Sequence, residues 1–496
     1  MNQKQSISYV ISSQSSSQQR SYRTRLTAVL DCTRLLLMQG LSFRSHDESE
    51  ESLNRGNLIK VLNWYAARCK EIKEVLFSNA SGNDQMTSPT IQKDLINCCA
   101  VETTRAIINE IGDSLFSILV DEARDNSMKE QMTVVLRFVD KSGRVKERFL
   151  GISHVTDTCA QSLKDAIDAM FSTHGLSISS LRGQSYDGAS NMSGEFNELK
   201  ALILRENPHA MYVHCFAHQL QLAIVSVARR NCMVGNFWDV LVIIVSLVGA
   251  SCKRNLRENG WDTLFSRVIE FCVDRHILVP NMEDIVVVKG RPRRVAQQVT
   301  YFHRFYVDLY CHVIDSILQE LNDRFPETTT ELFTCISCLS PRDSFAAFDK
   351  DKLLRFAQFY PLDFNSEELL LLRPQLDKFL LLVRMDEAFF NLNSISCVAQ
   401  KLIETRSSCY FSLVYRLLTL ALILPVATAS IERVFSAMNL IKSDLRNKMG
   451  DIWLNDNLVV YVEKAVFKQI ENEVILQHFQ IMRPRRIQLS KFTVTE

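Results

Sequence analysis

Between residues 113 and 230 the apolar periodicity of the chain switches repeatedly, and the order of those switches restricts the fold more than any other feature. SLFSILVDE, QMTVVLRFV and RVKERFLGISHV are short apolar and β-branched runs of the kind that form strands. Asp140-Lys141-Ser142-Gly143, between the last two, reads as a hairpin turn. CAQSLKDAIDAMFSTHG has helical spacing and closes on Gly175, a residue suited to a helix cap. SISSLRGQSYD is the next strand and NELKALILREN the next helix. HAMYVHCF is a further strand, feeding the helix HQLQLAIVSVARR. The order is β-β-β-α-β-α-β-α.

Three antiparallel strands followed by alternating units predict an α/β class, with a ribonuclease H-like mixed sheet. Two acids stand at informative places in it. The apolar run of SLFSILVDE ends on Asp121, and Asp187 follows SISSLRGQSY before a glycine turn and a helix start. Strand ends of this kind are where open α/β sheets hold ligands and metals. Two-metal phosphoryl transfer uses hard oxygen ligands converging on cations about 3.5–4 Å apart. A third carboxylate from a helix would complete such a site. In ASIERVFSAMN, Glu432 lies in the first turn after Ser430, which reads as the N-cap. A lone acid is ordinarily a solvated or capping carboxylate; the three together, in this strand order, point to phosphoryl-transfer chemistry.

The 496 residues predict two to four domains. Residues 1–20, rich in Ser and Gln, read as a disordered tail, and 21–110 as a helical region. The first part of the ribonuclease H-like domain is expected over 111–230 and a helical insertion over 231–400. The C-terminal part follows over 401–475, and a basic tail over 476–496. The net charge of +1 argues against a strongly basic nucleic-acid binder, so any such role must rest on local clusters. Two such clusters are KGRPRR, with Arg291, Arg293 and Arg294, and MRPRR, Met482 to Arg486. Arginines spaced by proline can reach DNA phosphates or serve as nuclear localisation signals; otherwise they are solvated loops. No N-terminal segment reads as a signal peptide. LLTLALILPVATA falls short of a membrane span and contains Pro425, so no membrane partner is expected. The fourteen cysteines are scattered, which fits reduced thiols of the cytosol or nucleus. Cys215 and His218 supply two ligands where structural zinc needs four, so no structural zinc is expected.

DEARDNSMKEQM, YDGASNMSG, HCFAHQLQLA and LPVATASIERVFSAMNLIKSDLRNKMGDIWLND resemble the hAT (hobo–Activator) transposase superfamily, in particular plant members of the zinc finger MYM-type 1-like and TTF-type kinds with a hAT C-terminal dimerisation region. The likeness extends from about residue 20 to the terminal block. It implies that Asp121, Asp187 and Glu432 are the catalytic, metal-binding acids of a DDE transposase using Mg or Mn. It also implies that Cys215 and His218 lie near DNA, and that residues 405–470 carry a dimerisation surface. The chain departs from the family in three ways. It has no N-terminal zinc-finger spacing, and Ala123 stands where relatives often have serine. SCKRNLRENGWDTLF joins pieces that relatives keep far apart, so the insertion is shortened and the Arg-Trp signature is absent; Trp261 is the nearest tryptophan. The function expected is therefore a transposase-derived, DNA-binding, self-associating nuclear (otherwise cytoplasmic) protein with impaired catalysis. The alternative is an active DDE transposase cutting and joining DNA with Mg.

Overall fold

Strand-forming runs and helical periodicity interleave here to give a mixed sheet covered on both faces. The computed structural model describes residues 7–45, 49, 51–76, 85–186, 198–230, 253–288, 297–324 and 327–485. These divide into two compact units, residues 1–213 with 335–496 and residues 214–334.

The first unit opens with helices α1 (Ile7–Gln39), α2 (Asn57–Ala66), α3 (Lys70–Val75) and α4 (Pro89–Ile111). α1 begins inside the Ser/Gln-rich stretch, so the expected disordered tail is helical from Ile7. Serine and glutamine are tolerated in helices, and the apolar residues from Tyr22 onward anchor the rest of α1 in the core. Strands β1 (Phe116–Arg124), β2 (Glu130–Val139) and β3 (Val145–His154) come next, then α5 (Ala160–His174), β4 (Leu181–Ser185), α6 (Leu199–Glu206) and β5 (Met211–Tyr212). The hairpin turn forms as read: the Gly143 N–H donates to the Asp140 carbonyl at 2.9 Å, and Gly143 has φ +78°. Gly175 caps α5 in the left-handed conformation.

The sheet order is β3-β2-β1-β4-β5. β1 to β3 are antiparallel neighbours, while β4 pairs parallel with both β1 and β5. This is the mixed α/β sheet that the segment order predicts. One face packs on α5, α6 and the end of α4 through Phe116, Ile118, Val120, Leu163, Ile167 and Ile203.

The second unit contains α7 (Phe216–Arg230), α8 (Lys253–Asp274), strands β6 (Ile285–Val288) and β7 (Gln297–Thr300), α9 (His312–Arg324) and the start of α10 (Glu327–Ser337). The antiparallel β6–β7 pair adds two short strands to a stretch expected to be a helical insertion. Four-residue strands are too short to stand out against helical periodicity. Trp261 packs among Phe265, Phe302, Tyr306 and Tyr310, at centroid distances of 5.2–6.2 Å.

The first unit resumes with α11 (Lys350–Gln358), α12 (Ser366–Met385), α13 (Ile395–Glu404), α14 (Ser412–Ile423), α15 (Ala429–Ile441), α16 (Asp451–Val462) and α17 (Asn472–Met482). α14 lies against β2 and β4, α15 against β1 and β2, and α16 against β3. On this face Leu119, Val135 and Ile152 meet Ile431, Val434 and Met438. Beyond them α1 and α17 close the core. Arg34 donates to the Ile470 carbonyl at 2.9 Å, Asn472 to Asp31 at 2.7 Å, and Arg23 pairs with Glu473. Gly183 of β4 lies where a Cβ would collide with the Ser117 hydroxyl and come within 3.0 Å of Pro425. Gly183→Ala is expected to cost about 1–3 kcal/mol in urea unfolding, because neither neighbour is the end of a long flexible side chain.

Candidate functional site

Side chains alternate along a strand, so Asp121 shares its face with Leu119 and Ala123, the face covered by α15. Asp121 lies inside β1 rather than at its end, because pairing with β2 runs on through Arg124. It is half-buried, its Oδ1 accepts the Glu122 N–H at 2.8 Å, and its cross-strand partner is Thr133. The Thr133 hydroxyl is buried, as are those of Ser117 and Ser185, and none of these three oxygens has a protein partner. Parallel pairing keeps Ser185 on the same face as Leu119. Three buried hydroxyls thus share the sheet face of Asp121, with Thr133 directly across from it. Sequence reasoning missed all three, because isolated Ser and Thr in strands carry no motif.

β4 is anchored by Arg182, whose guanidinium grips Asp363 at 2.5 and 2.9 Å. Its last described pair with β1, Leu119 with Ser185, comes two residues before Asp121 and Asp187 respectively. Asp187 lies outside the described residues, as do Arg291, Arg293 and Arg294.

Glu432 is exposed on the first turn of α15. The N-cap of that helix is Thr428, not Ser430. Ser430 lies within the helix, where its hydroxyl donates to Glu147, which also pairs with Arg137 at 2.5 Å. Arg137 in turn donates to the Leu422 carbonyl at 2.9 Å. The other end of α15 is held by an ion pair taken wholly out of water. Lys442 Nζ lies 2.7 Å from Asp125 Oδ2, with side-chain exposures of 1% and 0%. Burial pushes the Asp125 carboxyl up. Hydrogen bonds from Lys442, Gln131 and the N–H groups of Ser127 and Lys129 outweigh it and hold the group below the usual carboxylate range. α15, with Glu432 on its first turn, is thereby tied at one end to Glu147 of β3 and at the other to Asp125, which follows β1.

Cys215 and His218 belong to the second unit. Cys215 is buried, and the His218 ring stacks on His214 at 5.7 Å. Among the described residues, no group of three or more His, Cys, Asp or Glu is arranged to hold a metal ion. The MRPRR cluster is not a free basic tail: Arg483 and Arg485 pair with buried Asp94 at 3.2 and 2.7 Å. The apolar side of α15 is core, with Ile431, Val434, Met438 and Ile441 buried. Among the described residues, no helix is long and apolar enough to cross a membrane.

Residues 1–198 match a family model described as DUF4371: ZMYM1/FAM200, RNase-like domain. The chain is also 28% identical over 156 residues to the human protein named 52 kDa repressor of the inhibitor of the protein kinase, and 26% identical over 148 residues to its mouse counterpart. These stretches are 31% and 29% of this chain. They span 20% and 19% of the relatives' own lengths.

Proposed function

We propose that this chain derives from a hAT-type transposase, binds DNA and itself in the nucleus, and has impaired strand-cleaving chemistry. The observation that carries the reading is the parallel β1–β4 register, which runs to two residues short of Asp121 and of Asp187. Glu432 belongs to the helix on the same face. This favours a ribonuclease H-like scaffold with acids at the family's three positions. Asp121, Asp187 and Glu432 would hold Mg or Mn, which prefer an all-oxygen donor set of this kind. When bound, such ions activate an attacking oxygen and steady a leaving one. The chain's own contribution is orientation: Glu147 and Asp125 hold the two ends of α15, and Thr133 borders Asp121.

Impairment is supported by the shortened insertion and the absence of an Arg-Trp dipeptide from the sequence. A relative named as a repressor is consistent with a nuclear setting. Self-association would draw on the exposed apolar Leu440, Leu445 and Ile452, since the inner face of α15 is already used. The double pinning of α15 favours a second reading, an active DDE transposase.

Full-length protein incubated with labelled duplex DNA in Mg or Mn separates the two. The first reading expects retarded DNA, a dimer in sedimentation and no cleaved strand. Metal-dependent cleavage that Asp121→Asn abolishes would replace it with the second. Failure to retain DNA even at low salt would overturn both.

A further inference from the structure

A concavity of about 1170 Å³ opens in the first unit, and neither Asp121 nor Glu432 lines it. It forms where the α1–α2 connection, the start of α4, the Leu445–Trp453 segment and the end of α17 meet. Arg44, Lys93, Arg446 and Lys448 line it, with Trp453 and Gln92. Three carboxylates line it too, and each is engaged within the protein. Asp94 is held by Arg483 and Arg485, Asp451 by Lys129 at 2.9 Å, and Asp456 by the Asn97 amide at 3.0 Å. The remaining cations set the sign of the cleft. Lys93 and Lys448 stand exposed, and Arg446 directs one N–H to the Gly40 carbonyl at 3.0 Å.

Two further features point to a ligand. α16, twelve residues long, opens into this cleft with Gly450 as N-cap, which has no side chain to satisfy the first-turn N–H groups. The space beside Gly450 is open, with nothing within 4 Å of where a Cβ would sit. Helix starts of this form attract phosphate. Independently, Gln92 is 2% exposed, and its Nε2 donates to the Thr87 carbonyl at 2.7 Å while its Oε1 has no partner. A buried acceptor left unpaired costs about 1–3 kcal/mol, so the site favours a ligand that brings a donor. Trp453 is half-buried on the wall, edge-on to Phe43 at 6.1 Å, and an indole is a ring type on which flat bases stack.

Anion, hydrogen-bond donor and planar ring together describe one chemical class. We infer that this cleft binds a nucleoside phosphate, its phosphate met by Lys93, Lys448 and the start of α16, its ring by Trp453, and a donor group by Gln92. The same chemistry is offered by a free nucleotide and by the phosphorylated end of a strand.

The test is fluorescence anisotropy on the full chain in EDTA, so that the outcome is independent of any metal-dependent cleavage. The probes are a fluorescent ATP analogue and a 5′-phosphorylated single-stranded oligonucleotide, with a 5′-hydroxyl oligonucleotide for comparison. We expect saturable binding of at least one phosphorylated probe. It should weaken tenfold or more in Lys93→Glu/Lys448→Glu, both exposed positions, and severalfold in the milder Trp453→Phe. Preference for ATP assigns a free nucleotide; preference for the 5′-phosphate over the 5′-hydroxyl strand assigns a strand end. Equal binding to the double charge reversal, or no binding of either phosphorylated probe below millimolar, overturns the inference. So does displacement by poly-glutamate as effective as by nucleotide, which would make this an acidic-peptide site.

Discussion

Lys442→Met lowers the unfolding free energy of the first unit by about 3–5 kcal/mol, read from urea denaturation at pH 7. The size follows from the surroundings of the pair rather than from the pair itself. Both side chains are essentially without solvent contact, and Asp125 Oδ2 receives Lys442 and the Gln131 amide. Methionine fills the volume of the lysine stem but leaves a buried carboxylate that has lost its counter-charge. Asp125→Asn/Lys442→Met should recover most of the loss, because the amide keeps an oxygen for the Ser127 and Lys129 N–H groups. The pH dependence has a definite sign. Asp125 is held below its ordinary value, so its contribution is present above about pH 4 and fades as the solution is acidified through the folded value. The gap between wild type and Lys442→Met should therefore narrow in acid. A gap under 1 kcal/mol at pH 7 would show that the pair is not shielded from water.

Asp456→Asn acts in the opposite direction and raises stability at pH 7.5 by up to about 3 kcal/mol. Burial pushes the Asp456 carboxyl up to about 6, and the Asn97 amide offsets this only in part. Because the folded value exceeds the unfolded one, the native state holds the extra proton between about pH 4 and pH 6. Stability contributed by this group is thus full below pH 4 and lost as pH rises through 6. Asparagine is uncharged, of the same shape, and retains an oxygen for Asn97. The difference between variant and wild type should grow from near zero at pH 4 to its full value above pH 7. A pH-independent difference would overturn the assignment.

What could be read from the sequence was local. The three-strand run, the Asp140–Gly143 turn and the Gly175 cap each follow from residues within a few positions of one another. The α/β sheet follows from their order. Asp121 was identified, but as the end of a strand, because the apolar run stops there whereas the backbone ladder continues to Arg124. Thr428 and Ser430 are both good N-cap residues, but the helix starts just after Thr428 and the Ser430 hydroxyl turns to Glu147, far away in sequence. The Asp125–Lys442 pair joins positions 317 residues apart. Both stood in the motifs already singled out, yet no periodicity links an acid to a base across such a distance. The same is true of Arg483 and Arg485, which look like a free basic tail until Asp94 is seen beneath them.

The seating of α17 on α1 has a consequence for synthesis. α1 is made more than 400 residues before α17, its permanent partner through Tyr22 with Gln480 and Asp31 with Asn472. Leu26, Val29 and Leu36, fully buried in the finished molecule, belong to the same core as Ile475 and Phe479. Until those are made, that apolar surface has no native cover from them. At about 5–20 residues per second the wait is tens of seconds, long enough for chaperones to engage it. A nascent chain stalled before Asn472 would thus carry a nearly complete sheet and an open flank, and is the form most exposed to aggregation and degradation.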